Sequence, residues 1–140
     1  MNSVLSEART SGVTAVAFGD LFLEDIRRYR EERLAELSIE ALFPLWGLDT
    51  RVLAREMIRA GLKALVTSVD TQQLDARFAG QLFDDRLLNE LPATVDPCGE
   101  RGEFHTFAFE GPMFAAPLSI FRGEVVTRGP FIYADVLLSP

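Results

Sequence analysis

The feature that most constrains this chain is the alternation of short apolar runs with helical segments between residues 13 and 69. Residues 13–18, Val-Thr-Ala-Val-Ala-Phe, predict a buried strand. Gly19-Asp20 is the turn that follows. Residues 21–37, rich in Glu, Arg and Leu, predict a helix. Residues 40–43 predict a second strand, closed by Pro44. Asp49 is placed to cap a helix over 50–60, and Gly61 to end it. Residues 62–69 predict a third strand. This order is that of parallel βαβ units. Three parallel strands make a small sheet, and the first follows a short helix at 3–11 that ends near Gly12. The pattern is that of the later part of a doubly wound, Rossmann-like sheet.

After residues 69–73 the character changes. A loop and a short helix around 84–91 lead into a Pro- and Gly-containing loop at 92–102. Residues 103–109 predict a strand, and 121–126 with 131–138 a hairpin around Arg128-Gly129-Pro130. The expected organisation is an α/β part over 1–70, then a smaller α+β domain over 71–140.

Charge and cysteine content narrow the function classes. The chain has 14 Lys+Arg and 21 Asp+Glu, a net charge of −7. Nucleic acid or an anionic membrane surface calls for clustered basic residues, so neither is expected as a partner. The single Cys98 excludes an intramolecular disulfide and fits a reducing compartment. No apolar run approaches the ~18 residues of a membrane span. The N-terminus lacks the basic start and apolar centre of a signal peptide. A cytoplasmic location is expected.

Four places could carry chemistry. Gly19 and Asp20 occupy the carboxyl end of a strand, where open α/β sheets bind ligands. The next helix begins there and offers unpaired N–H groups to an anion. Asp20 could equally cap that helix, with Glu24 and Asp25 complementing its dipole. Arg30 falls on the apolar stripe of Leu23, Ile26, Leu34 and Leu37. There it needs a phosphate or carboxylate partner, or else snorkels at the edge of the stripe. Trp46, in Pro44-Leu45-Trp46-Gly47, could stack on a substrate ring or anchor its own loop.

The densest cluster runs from Asp96 to Thr106: Asp-Pro-Cys-Gly-Glu-Arg-Gly-Glu-Phe-His-Thr. Gly99 and Gly102 let backbone approach a ligand. Glu100, Glu103 and His105 offer acid/base groups, and Thr106 a hydroxyl. On a strand, Glu103 and His105 would face one way. One His and one Cys without paired spacing make no metal site. Cys98 has no identifiable partner His and reads as a small structural residue.

These motifs resemble a known family. Val16-Ala17-Phe18-Gly19-Asp20, then Phe43-Pro44-Leu45-Trp46-Gly47, then Asp96 to Glu100 with Gly102 to Thr106, look like the diphthine–ammonia ligases. These are ATP pyrophosphatases with an adenine nucleotide alpha hydrolase-like fold. The resemblance runs over essentially the whole chain and covers the family's later two-thirds. The family's opening phosphate-binding loop, of the type Ser-Gly-Gly-Lys-Asp-Ser, does not occur in this sequence.

The resemblance implies ATP, with Mg, as cosubstrate and a carboxylate acceptor, either free or on a protein. The carboxylate is adenylated with release of pyrophosphate, and ammonia then forms the amide. Gly19, Asp20, Asp25, Arg28 and Arg30 would line the nucleotide side. Trp46, Gly102 and Thr106 would contact the acceptor, and Glu100, Glu103 and His105 would do the proton work. Archaeal and eukaryotic members tend to have Glu-Gly-Gly-Glu-Tyr-Glu-Thr where this chain has Glu100 to Thr106. Arg101 and His105 look like the bacterial relatives, for which another acceptor is expected. The alternative is a module that binds a carboxylate or a protein without catalysis, or a truncated fragment, that has lost ATP chemistry. An exposed sheet edge would suit a second copy or a partner chain.

Overall fold

The computed structural model describes residues 2–139, with side chains described from residue 4 to 139. It divides into two compact units, residues 1–48 and 49–140. The second unit begins at residue 49, ahead of the boundary near 69–73 expected from the sequence. The first unit holds α1 (Asn2–Thr10), β1 (Ala15–Ala17), α2 (Glu24–Ala35) and β2 (Glu40–Leu42). Strands β1 and β2 run parallel, with Ala15 opposite Glu40 and Ala17 opposite Leu42. This is the βαβ unit read from the sequence. Leu21, Leu34 and Ile39 are its buried apolar residues.

The second unit holds α3 (Thr50–Arg59), β3 (Lys63–Asp70), α4 (Asp85–Glu90), β4 (Phe104–Glu110), β5 (Ile120–Arg128) and β6 (Phe131–Leu138). Asp49 caps α3 as expected: its carboxylate accepts the N–H groups of Arg51 and Val52 at 2.9 and 3.0 Å. Gly61, at φ +90°, takes the left-handed conformation after the helix.

Strand β3 corrects the expectation of a third parallel strand. It lies inside a four-stranded sheet of order β4-β3-β6-β5, antiparallel to both neighbours. A short apolar run shows that a strand is buried but not which strands flank it. The hairpin is as predicted, with Arg128 opposite Phe131 across a two-residue turn. Gly129, at φ +60°, opens that turn, and Pro130 supplies the second position without needing an N–H.

One side of this sheet packs on the helices. Val66, Val69, Phe78, Phe83, Leu87 and Phe104 lie at the centre of that core. The architecture is mixed α/β: a small parallel βαβ unit, then an α+β unit built on an antiparallel sheet.

Candidate functional site

The expected nucleotide-side residues all belong to the first unit. Arg30 has found a carboxylate, and it is Asp20. Arg30 Nε lies 2.6 Å from Asp20 Oδ2, and its Nη2 donates to Oδ1 at 3.1 Å. Nε and Oδ2 are both sealed from solvent and face each other. The guanidinium also sits 4.4 Å from the centroid of the Phe18 ring. Asp20 therefore does not cap α2. The residue at that position is Leu23, which gives no side-chain cap, so the first N–H groups of α2 lack one.

Gly19 is exposed, with open space where a side chain would stand. Asp25 and Arg28 are exposed on the first turns of α2. Trp46 packs edge-on against Phe43 at 6.0 Å, and Phe43 stacks on Phe18 at 5.5 Å. Arg27 lies over both Trp46 and Phe43. Trp46 is thus an anchor within a cation-capped aromatic cluster.

The acceptor-side residues other than Trp46 lie in the second unit, where the loop at 96–103 is wound around two buried carboxylates. Glu103 is only 1% exposed. Its Oε1 accepts the Asp96 N–H at 2.8 Å, and its Oε2 the Arg101 N–H at 3.0 Å. Asp96, 5% exposed, accepts the Glu100 N–H at 3.0 Å. Gly99 closes the loop at φ +68°; a Cβ there would stand 2.7 Å from the carbonyl oxygen of Phe104. Gly102, at φ +80°, faces open space. The Glu103 carbonyl accepts the Asp70 N–H at 3.0 Å and so fixes the start of β4 against the end of β3.

This geometry corrects the expectation that Glu103 and His105 share a face. Glu103 precedes β4, and its side chain is drawn into the loop by two backbone donors. His105 is exposed on β4 and lines an open cavity of about 570 Å³ on the free side of the sheet. Thr106 is exposed one position on, and Glu100 is half-buried in the loop. Among the described residues, no group of three or more His, Cys, Asp or Glu side chains could hold a metal ion.

The cavity contains residues that the sequence did not single out. Thr67, Ser68, Phe131, Tyr133 and Asp135 line it with His105. The cause is a β-bulge in β3, where the register steps from Val66 opposite Thr106 to Ser68 opposite His105. The extra residue lets Val66 and Val69 both enter the core, while Thr67 and Ser68 both line the cavity. The signal was present as apolar-polar-polar-apolar over Val66-Thr67-Ser68-Val69, which breaks strict alternation.

The thiol of Cys98 donates to the Thr50 carbonyl at 3.4 Å. Burial, with the nearby Asp96 and Glu100 carboxylates, pushes it up to about 12. The thiolate is therefore scarce near neutrality, and alkylation by iodoacetamide at pH 8 should be far slower than for an unfolded control. Rapid labelling of the folded chain would contradict this placement. The linkage has a definite sign. Since the folded thiol holds its proton longer than the ordinary value of 9.0, stability should fall as pH rises from 9 towards 12.

A model of the diphthamide synthase C-terminal domain matches residues 49–131, which lie within the second unit. The chain belongs to this family. A diphthine–ammonia ligase of Danio rerio is 32% identical over 142 residues, covering 97% of this chain and 54% of the relative. The Homo sapiens diphthine–ammonia ligase is 32% identical over 120 residues, covering 81% and 45%. That of Schizosaccharomyces pombe is 30% identical over 129 residues, covering 87% and 21%. The chain thus spans about half the length of the first two and less of the third. No described helix is long and apolar enough to cross a membrane.

Proposed function

We propose that this diphthamide synthase C-terminal domain serves an ATP-dependent, amide-forming ligase and presents the acceptor carboxylate to the activated nucleotide. The observation that carries this reading is the loop at 96–103, held by Glu103 and leading directly into His105. In the proposed reaction a carboxylate oxygen attacks the α-phosphorus of ATP. Pyrophosphate leaves and an acyl adenylate forms. Ammonia attacks the carbonyl carbon, AMP leaves with the bonding electron pair, and the attacking nitrogen loses a proton.

His105 and Glu100 are the candidates to take that proton. Glu103 acts as a positioning residue, since both its oxygens are engaged by backbone N–H groups. Gly102 and Thr106 lie beside them on the acceptor side, with Gly102 open to an approaching ligand. On the nucleotide side we assign Gly19, Asp20, Asp25, Arg28 and Arg30. The uncapped start of α2 favours this reading, while Glu24 and Asp25 in its first turn suit ribose hydroxyls better than phosphate. Mg²⁺ would arrive on the nucleotide, bound chiefly by phosphate oxygens and water. Among the described residues, strands β1 and β2 pair only with each other, which leaves ladder groups for strands of a partner chain or a second copy.

The loop sequence Glu100 to Thr106 differs from Glu-Gly-Gly-Glu-Tyr-Glu-Thr, and His105 stands where that pattern has Glu. This favours an acceptor other than diphthine, on a bacterial-type relative. The test is turnover in a protein that spans the relatives' full length and carries these residues. His105→Ala should slow AMP release by roughly tenfold or more. Unchanged turnover in both His105→Ala and Glu100→Ala would remove the acid/base role of this loop and favour a module that binds without catalysis.

A further inference from the structure

The second unit carries a second hollow, of about 420 Å³, on which three arginines from three separate elements converge. Arg77 comes from the short 3₁₀ turn Ala76–Phe78, Arg86 from α4 and Arg122 from β5. None of its lining residues belongs to the loop at 96–103 or to the cavity beside His105. The chain as a whole has a net charge of −7, so three cations gathered at one hollow run against its composition. Like charges facing one space repel each other, and the arrangement gains only when an anion joins it.

The frame that holds these arginines is fixed. Residues 80–83 run along β3 through backbone bonds. The Gly80 N–H donates to the Val66 carbonyl, the Val66 N–H to the Gln81 carbonyl and the Phe83 N–H to the Ala64 carbonyl, each at 2.8 Å. Gly80 takes φ +78°, and a Cβ there would run into Arg122 Cδ. The stem of Arg122 thus fills the space of a side chain at position 80. Glycine alone meets both demands, so the place of Arg122 is built into the backbone. Gln81 Nε2 donates to the Arg77 carbonyl at 2.9 Å and ties this segment to the 3₁₀ turn. The Arg77 guanidinium rests 4.8 Å from the centroid of the Phe78 ring.

Carboxylates are in short supply around the three guanidiniums. Glu90 serves two of them. Its Oε1 accepts from Arg86 Nε at 2.9 Å, while its Oε2 lies 3.7 Å from Arg77 Nη1, beyond hydrogen-bonding reach. Arg86 is held through Nε, which leaves its Nη groups to another acceptor. Asp84 gives its Oδ1 to the Leu87 N–H at the start of α4. Arg122 makes no hydrogen bond or ion pair with the described residues. A carboxylate is planar and is satisfied by one fork, whereas a phosphoryl group takes donors from several sides and carries more charge. We infer that this hollow binds a phosphoryl anion of a small molecule, with Arg86 and Arg122 donating to its oxygens and Arg77 adding charge beside them.

The test is an NMR titration of this chain with pyrophosphate and, separately, with a tetraglutamate peptide at equal ionic strength. Pyrophosphate should saturably shift the Nε–H signals of Arg86 and Arg122 and the amides of Gln81 and Leu82. It should bind several-fold more tightly than the peptide. Arg122 is exposed, so Arg122→Ala should keep a native amide spectrum and weaken pyrophosphate roughly fivefold or more. Arg122→Lys keeps the charge without the fork and should fall between the two. No shifts at millimolar pyrophosphate would overturn the inference. So would shifts confined to residues 19–30, or shifts that survive unchanged in Arg122→Ala. Tetraglutamate binding as tightly as pyrophosphate would give the hollow to an acidic protein segment instead, and would overturn it too.

Discussion

Glu103→Ala should be among the most damaging single substitutions in the second unit. The carboxylate accepts two backbone N–H groups, from Asp96 and Arg101, in a place that water does not reach. Removing it strands both donors. Each costs about 1–3 kcal/mol when left unmade, so the loss is roughly 2–6 kcal/mol. A domain stable by about 5–15 kcal/mol feels that strongly. The melting temperature should fall by ~10 °C or more. Glu103→Gln keeps one acceptor oxygen but sets its NH₂ against the other N–H, and should fall between the two. Hydrogen exchange gives the local readout: the Asp96 and Arg101 amides should be protected in the native chain and lose that protection in the variant. A melting temperature within a degree or two of the native value would show that Glu103 does not hold this loop.

This prediction also marks a limit of sequence reading. An acid in a Gly-containing loop reads as exposed and available for proton work. Its partners here are backbone N–H groups, which leave no trace in residue types. The burial of Glu103 therefore became visible only with the chain path. Arg30 is the opposite case. Its place on an apolar stripe predicted a need for an anion, and a carboxylate ten residues earlier, that of Asp20, meets it. The sequence could not choose between that and a phosphate, because both satisfy the same planar fork.

Local signals are legible where one residue decides them. Asp49 and Gly61 bracket α3 because a side-chain cap and a left-handed residue act within one turn. The turn at Gly129-Pro130 follows for the same reason. Neighbour relations were harder. Residues 62–69 are apolar enough for a buried strand in any sheet, and only pairing with β4 and β6 made β3 antiparallel. That pairing places β3 in one unit with α3 and the rest of the antiparallel sheet. The bulge at Thr67 shows the remaining gap. Two polar residues in a row were legible, but their shared direction needed the register. The cavity residues Ser68, Tyr133 and Asp135 were missed with it.

The second large effect concerns the nucleotide. If the first unit keeps a usable part of its site, AMP should bind this chain, and Arg30 should matter most. Its guanidinium is held in a two-point fork by Asp20 and rests on Phe18. Arg30→Ala removes the fork and leaves the Asp20 charge without its partner, so AMP would meet an acidic wall. Arg28 is exposed on α2. Arg28→Ala therefore gives a second variant whose folding is not in question, and it should weaken binding by a few-fold. Circular dichroism on each variant separates loss of a contact from loss of the unit.

The measurement that tests the account most directly is calorimetric titration of this chain with AMP and, separately, with Mg-ATP. The account predicts saturable heat with at least AMP, weakened roughly tenfold or more by Arg30→Ala in a sample that remains folded. No heat with either nucleotide, from a chain whose amide spectrum is native, would contradict it. The second unit would then stand as a binding module without nucleotide chemistry of its own.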